Sequence, residues 1–404
     1  MAKLYYGIDR LPNPDGTYTK YICYSNTEFS TTLGYCWEYD PETWVEDLPS
    51  WNRKAVLVTG DFPGNYCDID HKLILPENVA YLFYGCTNTS YADMNREFDV
   101  RFIDFSYVLD ANHMFASSKI EDLLIDSDNN FAPFNIEGLC ADCTNLETAD
   151  ISVSNSNVIS NISHMFDNCT SLTTVNFNDT FYNSGTKSSV EYLYNNCLSL
   201  TSAKLNFNLD STARSLSHIL NGCTSLTNFS SSFNTYNIED FESCFQNCKS
   251  LEKINIRNWS FENAKNLSSL FCGCDNLETI ELPAGNISSN IESTSQAFKD
   301  CPSLKYIYAP KYTDWNVSIT SDSTDMFTNS TQLPDFDSEE VQIMSANNRK
   351  NDYWPSYFIY HTYWNSDAYI KDAGVWYKII ATSRKTDGAW VPISLFYYRT
   401  DDNI

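Results

Sequence analysis

Apolar and polar residues follow one pattern that recurs ten times, with a step of 25 to 29 residues from Ser118 onward. Each copy opens with two large, mostly apolar residues, such as Met165-Phe166, and usually has a cysteine three residues after the second. The i, i+3 spacing predicts a short helical turn with these positions on one buried stripe. The cysteine position is filled by Cys86, Ser118, Cys143, Cys169, Cys197, Cys223, Cys248, Cys274, Cys301 and Ser330.

Two further positions of the repeat have a clear physical role. The residue before the cysteine position is Gly, Asn or Asp in every copy except the one with Ser117. These residues tolerate a left-handed backbone, so the position is predicted to end the helical turn. Three residues after the cysteine position stands a column of leucines, Leu146, Leu172, Leu200, Leu226, Leu251, Leu277, Leu304 and Leu333.

After the leucine the period changes from three or four residues to two. Residues 251–256 and 277–282 end in alternating apolar and polar positions, which predicts a half-buried strand of about three to five residues. One copy cannot bury its apolar side, so neighbouring copies must stack. We therefore predict an α/β solenoid over residues 76–336, with about ten repeats.

The repeats resemble the BspA-type leucine-rich repeats and the related bacterial surface repeat of about 26 residues. The resemblance lies in the pattern MFxxCxSLxxxxx and in NAKNLSSLFCGCDNLETIEL at 263–282. It implies a right-handed leucine-rich-repeat solenoid with a parallel sheet on one side. It also implies a role in adhesion, host contact or a virion surface structure, and it carries over no catalytic residue.

Segments without the repeat flank the solenoid. Residues 1–75 contain the β-prone stretches TYTKYICYSNTEF and KAVLVTGDF and are predicted to form a β-rich cap. Residues 337–404 are predicted to form a β-rich aromatic module in which DAG and TDG make hairpin turns. This module resembles short terminal β-modules of bacteriophage structural proteins, and the alternative is a cap for the solenoid. Its candidate interaction residues are Trp354, Tyr357, Trp364, Trp376 and Trp390.

Charge and hydropathy exclude some partners. The net charge is −26, so phosphate-mediated nucleic-acid binding and attraction to anionic membranes are not expected. We expect no membrane insertion, because no run of 18 apolar residues occurs. The N-terminus has no apolar segment typical of a secretory signal, which predicts synthesis in a cytosol without export by the general pathway.

The cysteines and histidines are predicted to be structural. We expect the seven ladder cysteines from Cys143 to Cys301 to be unpaired, inward and packed, since a column gives no unique pairing. Cys140 and Cys143 match the redox spacing C-x-x-C but should both point inward, whereas Cys272 should face outward. His113, His164 and His218 share one repeat position about 10 Å apart, too far to bind one metal. No catalytic, cofactor-binding or metal-binding residue is predicted, and no cofactor.

These features favour a non-enzymatic structural and binding protein. The leading interpretation is a bacteriophage virion component, such as a fibre, a head decoration or a tail-associated protein, synthesised in the host cytoplasm. The first alternative is a cell-surface or secreted adhesin, and the second is a glycan-active enzyme on a repeat scaffold. The expected partners are other virion proteins or a host-surface receptor or glycan, and the chain could form a homo-oligomer.

Deletion of residues 341–404 tests the role of the C-terminal module. This segment carries 6 acidic and 7 basic residues, against 30 and 13 in residues 81–330, and is dense in aromatic residues. We expect the truncated chain to keep a folded solenoid by circular dichroism but to lose incorporation into a larger particle or oligomer, measured by sedimentation. If the truncated chain were incorporated normally, residues 341–404 would serve only as a cap for the solenoid.

Overall fold

The fold, taken from a computed structural model, consists of two compact units, each containing stacked turns of the repeat. Unit 1 comprises Met1–Phe233 and Ser243–Cys248, and unit 2 comprises Asn234–Glu242 and Lys249–Ile404. The structure describes residues 3–8, 20–25, 35–38, 53–59, 73–75, 77–88, 97–99, 103–153, 159–177, 186–187, 189–209, 211–283, 288, 290–310, 322–333, 358–361, 369–372, 375–386 and 389–399.

One sheet in unit 1 joins the N-terminal strands to the first repeat. Its strands are β1 (Lys3–Ile8), β2 (Lys20–Ser25), β3 (Tyr35–Glu38), β4 (Arg53–Thr59) and β6 (Cys86–Asn88), in the order β3-β1-β2-β4-β6. β1 pairs antiparallel with β2 and β3, while β4 pairs parallel with β2 and β6. β2 and β4 lie in the two stretches for which the sequence predicts β-structure.

The repeats of unit 1 contribute short parallel strands. These are β5 (Leu73–Ile74), β7 (Glu97–Asp99), β8 (Ile103–Asp104), β9 (Asp122–Ile125), β10 (Thr148–Ile151), β11 (Thr174–Phe177), β12 (Thr186–Lys187), β13 (Ser202–Leu205), β14 (Asn208–Leu209) and β15 (Asn228–Ser231). β7, β9, β10 and β11 form one sheet, and β5–β8, β12–β14 and β13–β15 pair separately. In the sheet, Thr148 stands opposite Asp122 and Thr174, so equivalent repeat positions align.

Unit 2 contains a parallel sheet and an antiparallel one. β16 (Lys253–Asn255), β17 (Thr279–Glu281), β18 (Tyr306–Pro310) and β19 (Phe358–His361) are parallel and adjacent in that order. β20 (Tyr369–Asp372), β21 (Val375–Thr386) and β22 (Ala389–Arg399) form an antiparallel sheet. The strand ends fall at DAG and TDG, which confirms the predicted hairpin turns.

The segment before each repeat strand is not helical, contrary to the prediction. It is a run of turns, and the only helix among the described residues is the 3-10 helix Ser127–Asn129. In residues 162–169, three N–H groups donate to the carbonyl three residues back, closing successive β-turns, namely those of Met165, Asp167 and Cys169. The class is therefore a parallel-strand β-solenoid with almost no helix, instead of α/β.

The intervening N–H groups bind the next turn of the solenoid. Those of His164, Phe166 and Asn168 donate to the carbonyls of Glu191, Leu193 and Asn195 at 2.9, 3.0 and 2.8 Å. The N–H groups thus alternate along the segment: one bonds within the segment and the next bonds to the neighbouring turn. This arrangement gives every backbone N–H of residues 164–169 a partner, which a buried backbone requires.

Two left-handed residues, four positions apart, allow this geometry in each of the ten segments. The second is the predicted position before the cysteine, and φ lies between 54° and 76° there, even at Ser117. The first is not predicted by the sequence and has φ between 50° and 60°. It is occupied by Tyr81, His113, Gly138, His164, Tyr192, His218, Ser243, Ser269, Gln296 and Asp325.

A polar side chain starts the turn segments, three residues before the first left-handed residue. In nine segments its oxygen accepts the N–H two residues further on, as Asn161 Oδ1 does from Ser163 at 3.0 Å. The same positions bridge neighbouring turns in parallel, for example Asn135 with Asn161. The nine residues are Asn78, Asp110, Asn135, Asn161, Ser215, Asp240, Asn266, Ser293 and Asp322.

The predicted ladder residues lie in the core. The leucines from Leu146 to Leu304 are at most 1% exposed, and the cysteines at 143, 169, 197, 223, 248, 274 and 301 are fully buried with free thiols. Apolar rings stack along the same core, with centroids 5.6 Å apart for Phe166 and Tyr194. Cys272 was expected to face outward, but it is only 8% exposed, so that prediction is wrong.

The ladder thiols are hydrogen-bond donors as well as packing groups. Cys197 Sγ donates to the Phe166 carbonyl and Cys223 Sγ to the Tyr194 carbonyl, both at 3.1 Å. The thiols of Cys143, Cys169, Cys248 and Cys301 make the equivalent bond to the preceding turn. The Ser330 hydroxyl donates to the Phe298 carbonyl in the same way, which explains why serine is accepted at this position.

Cys223 provides a test of this bond. We expect Cys223→Ala to lower the free energy of unfolding by about 1–2 kcal/mol, through lost packing and the lost donor to the Tyr194 carbonyl. Cys223→Ser is nearly the same size as alanine but keeps a donor, so its loss should be smaller. Denaturant unfolding of both variants measures the difference, and equal losses would show that the thiol acts through its volume alone.

Candidate functional site

The buried ladder is not the functional site. Burial raises the pKa of the thiols of Cys169, Cys197, Cys223 and Cys248, so these groups stay protonated and act as donors. The C-x-x-C pair Cys140 and Cys143 is also buried, as the inward prediction requires. A site must therefore be sought among side chains that leave the core.

The predicted aromatic interaction residues fall mostly outside the described part of the chain. Trp354, Tyr357 and Trp364 lie outside the described residues. Trp376 lies in β21 opposite Lys371, and Trp390 lies in β22 opposite Lys385. Their backbone positions place both tryptophans in the antiparallel C-terminal sheet, and their side chains are outside the described set.

A column of stacked rings on unit 1 is the most distinctive surface feature in the described residues. It occupies the first left-handed position of successive turns. Tyr192 lies between His164 and His218, with centroids 4.6 and 4.5 Å away and interplanar angles of 8° and 7°. Tyr81 stacks on His113 at 5.1 Å. We call these five residues the ring column, and all five are half-buried.

The interruption at Gly138 is filled by a neighbouring ring. A Cβ on Gly138 would lie 2.6 Å from Nε2 of His113, so the imidazole leans over this glycine. Gly138 also has φ of 57°, which a side chain would make strained. The column therefore extends over the glycine turn through the His113 ring, and an alanine at this position would have to displace it.

The fold does not require rings at this position. In the remaining four segments the same position holds Ser243, Ser269, Gln296 and Asp325, at similar φ. A left-handed conformation costs a residue with a Cβ about 1–2 kcal/mol, and it is rare for bulky side chains. Rings are thus placed in a strained position where small or flexible polar residues serve the fold equally well, which is typical of functional surfaces.

Two ladders of side-chain amides run beside the ring column. In one, the Asn196 amide donates to Asn168 at 2.9 Å and the Asn168 amide donates to Asp142 at 3.0 Å. In the other, the Asn221 amide donates to Asn195 at 2.8 Å and the Asn195 amide donates to Asp167 at 2.7 Å. Each ladder ends on a carboxylate, so its amides are polarised towards a negative charge.

Five carboxylates surround the ring column, those of Asp110, Glu137, Asp142, Asp167 and Glu191. Among the described residues, their hydrogen-bond donors are neutral groups apart from His164, for example the Asn161 amide, which donates to Glu137 at 2.9 Å. Within the described residues, no lysine or arginine forms an ion pair with any of the five. Within the part of the chain that the structure describes, the column therefore lies beside carboxylates that no lysine or arginine neutralises in an ion pair.

The histidines of the column respond differently to this field. The hydrogen bond between His164 Nδ1 and Asp167, 2.8 Å long, raises the pKa of His164, against the opposing effect of burial. Burial lowers the pKa of His113, although nearby Glu137 opposes this. In the turn of His218 the Asp167 position holds Asn221, and His218 Nδ1 and Asn221 Oδ1 are buried with no hydrogen-bond partner among the described residues.

In the described ranges, no group of three or more His, Cys, Asp or Glu side chains is placed to hold a metal ion. The three histidines share one column, as their common repeat position predicts, but Tyr192 separates His164 from His218. Among the described residues no helix has the length and apolar character needed to span a membrane.

The sequence indicated that the three histidines share one repeat position, but the ring column was not predicted. The signal was available, because Tyr81 and Tyr192 occupy the same repeat position as the histidines. Gly138 has no ring and interrupts the series, so the shared position of the aromatic residues was not recognised. The left-handed conformation at this position was only weakly indicated, because His, Gly and Asp favour it but Tyr and Gln do not.

Comparison with known proteins gives one family. A family model described as "Mycoplasma protein of unknown function, DUF285" matches residues 77–208, 188–310 and 214–340. These overlapping matches together span 77–340, well over half of the 404 residues. No curated protein and no solved structure matches the chain significantly.

The His164–Asp167 pair predicts a pH-dependent contribution to stability. The pKa of His164 is raised above its ordinary value of 6.5, so the contribution is fully present below that value and is lost as pH rises through the raised pKa. Asp167→Asn should therefore lower the melting temperature more at about pH 5.5 than at about pH 8. Asp150→Asn removes a carboxylate that bonds only the Asn176 amide, and should show no such difference. A loss for Asp167→Asn that is equal at both pH values would contradict the pairing.

Proposed function

The chain belongs to the DUF285 family, whose matches cover its repeat solenoid, and from this premise we propose that it is a non-enzymatic binding protein displayed at a bacterial cell surface. The solenoid serves as the scaffold, and side chains that leave the core contact another macromolecule. We also assign the repeats to the BspA-type leucine-rich class that they resemble. This choice corresponds to the adhesin alternative raised by the sequence.

The ring column carries the proposal. Five half-buried rings occupy a strained backbone position that other turns fill with small or flexible polar residues. A buried core explains the ladder of Cys and Leu, but it does not explain rings on the outer side of the turn segments. Aromatic side chains that are partly exposed and held rigid are enriched in binding surfaces.

A virion component is the second candidate. The antiparallel hairpin of β20 and β21, with Trp376 in its second strand, lies where the resemblance to phage terminal modules was found. That hairpin favours attachment of the C-terminal segment to a larger assembly. Both candidate functions use the solenoid for binding. They differ in whether a cell surface or a phage particle displays it.

The accessibility of the protein to an external probe tests whether it is displayed at the cell surface. We expect antibodies against the full chain to label intact cells of the producing organism, and external protease to remove that label without lysis. Labelling of purified phage particles, with none on intact cells, would favour the virion candidate. Detection only after lysis, in cells and without particles, would refute both.

A further inference from the structure

The ring column and its carboxylates differ in charge balance from the turns of unit 2. In unit 2, carboxylates pair with cations of neighbouring turns, as Glu239 does with Lys265 at 2.6 Å and Glu278 with Lys305 at 2.8 Å. Arg257–Glu281, Lys299–Asp325 and Lys249–Asp275 are further pairs, at 3.1, 3.5 and 3.6 Å. The five carboxylates beside the ring column accept hydrogen bonds from amides and hydroxyls instead.

The carboxylates reach several rings at once. Glu137 acts electrostatically on Tyr81, His113 and His164, and Asp110 on the first two of these. The positions from Asp110 to Glu191 span four successive turns, about 15–20 Å at the spacing of parallel strands. Rings and charges therefore form one continuous strip along unit 1.

We propose that the ring column and the carboxylates of Asp110, Glu137, Asp142, Asp167 and Glu191 form a docking strip for a basic, arginine- and lysine-bearing segment of a partner protein. Charge complementarity selects this occupant, because five carboxylates over four turns, none of them ion-paired to a lysine or arginine among the described residues, can receive several positive side chains. The inference rests on the proposed binding function and adds the chemistry of the partner.

The stacked rings contribute hydrogen-bond acceptors and rigidity. Both faces of Tyr192 are covered by imidazoles, so its exposed part is the ring edge. Phenol oxygens and neutral imidazole nitrogens accept hydrogen bonds, and guanidinium and ammonium groups only donate them. Because the stack already fixes the rings, a partner segment need not immobilise them on binding.

Acidification should weaken the docking. Protonation of His164, whose pKa is raised by its hydrogen bond to Asp167, places a positive charge in the strip beside Asp167, Glu137 and Glu191, and the same holds at lower pH for His113, whose pKa is lowered by burial. Burial raises the pKa of Tyr81, so its phenol stays neutral in this range. A basic segment then meets a less negative strip, so affinity falls as pH falls through the histidine range.

Binding of a fluorescein-labelled peptide of nine arginines to the full chain, followed by anisotropy, tests the proposal. The triple variant Glu137→Gln, Asp142→Asn and Glu191→Gln removes three charges but keeps an acceptor at each site. We expect affinity about tenfold weaker at low salt. The matched triple Glu239→Gln, Glu278→Gln and Glu281→Gln removes three charges from unit 2 and should change affinity by less than about twofold.

Further variants separate the rings from the charges. Tyr192→Ser introduces the residue that unit 2 uses at this position, and we expect affinity to fall about threefold with the melting temperature little changed. His164→Gln, matching Gln296, should reduce the loss of affinity between about pH 7.5 and about pH 5.5. Unchanged affinity in Tyr192→Ser would overturn the assignment of the rings to the strip.

The remaining outcomes overturn the proposal in distinct ways. Equal weakening by both triple variants would show attraction to the whole acidic chain and no docking strip. No measurable binding of the arginine peptide by the full chain would refute a basic partner. If the chain is nevertheless labelled on intact cells, only the partner's chemistry fails and the proposed display function stands.

Discussion

The hydrogen bonds between successive turns are the constraint on which the rest of the structure depends. Every second N–H of a turn segment points along the stack to the next turn, and the others close β-turns within the segment. Here the chain meets both demands by placing two residues in the left-handed region, four positions apart. The positions of the core residues and of the outer columns within the turn segment follow from that backbone.

The sequence predicts a local backbone conformation where the residues at that position favour it. Gly85, Asn168 and Asp300 tolerate a left-handed backbone, so the second position could be predicted, and Leu277 with Ile280 showed the buried side of the strand. The i, i+3 spacing of Phe166 and Cys169 suggested a helix because consecutive β-turns bury the same positions. Periodicity alone does not distinguish the two, which is why the solenoid was predicted but the α/β character is not confirmed, although the ladder residues lie in the core.

The cysteine column illustrates a similar limit. A small buried hydrophobe explains burial at Cys197, but it does not explain serine at 118 and 330. The Phe166 carbonyl accepts both the Cys169 N–H and the Cys197 thiol, so the position needs a short side chain that donates. This requirement is visible only when the preceding turn is in place, because donor and acceptor are 31 residues apart in the chain.

The outer columns are free to vary, since the backbone bonds and the buried ladder already fix the solenoid. Asp325 and His164 occupy the same position at nearly the same φ, yet one pairs with Lys299 and the other stacks on Tyr192. Side chains at this position therefore carry information about surface chemistry and almost none about the fold. A repeat protein of this kind can change its partner by altering one position per turn, and the rings of Tyr81, His113, His164, Tyr192 and His218 distinguish their turns from those with Ser, Gln or Asp at the same backbone conformation.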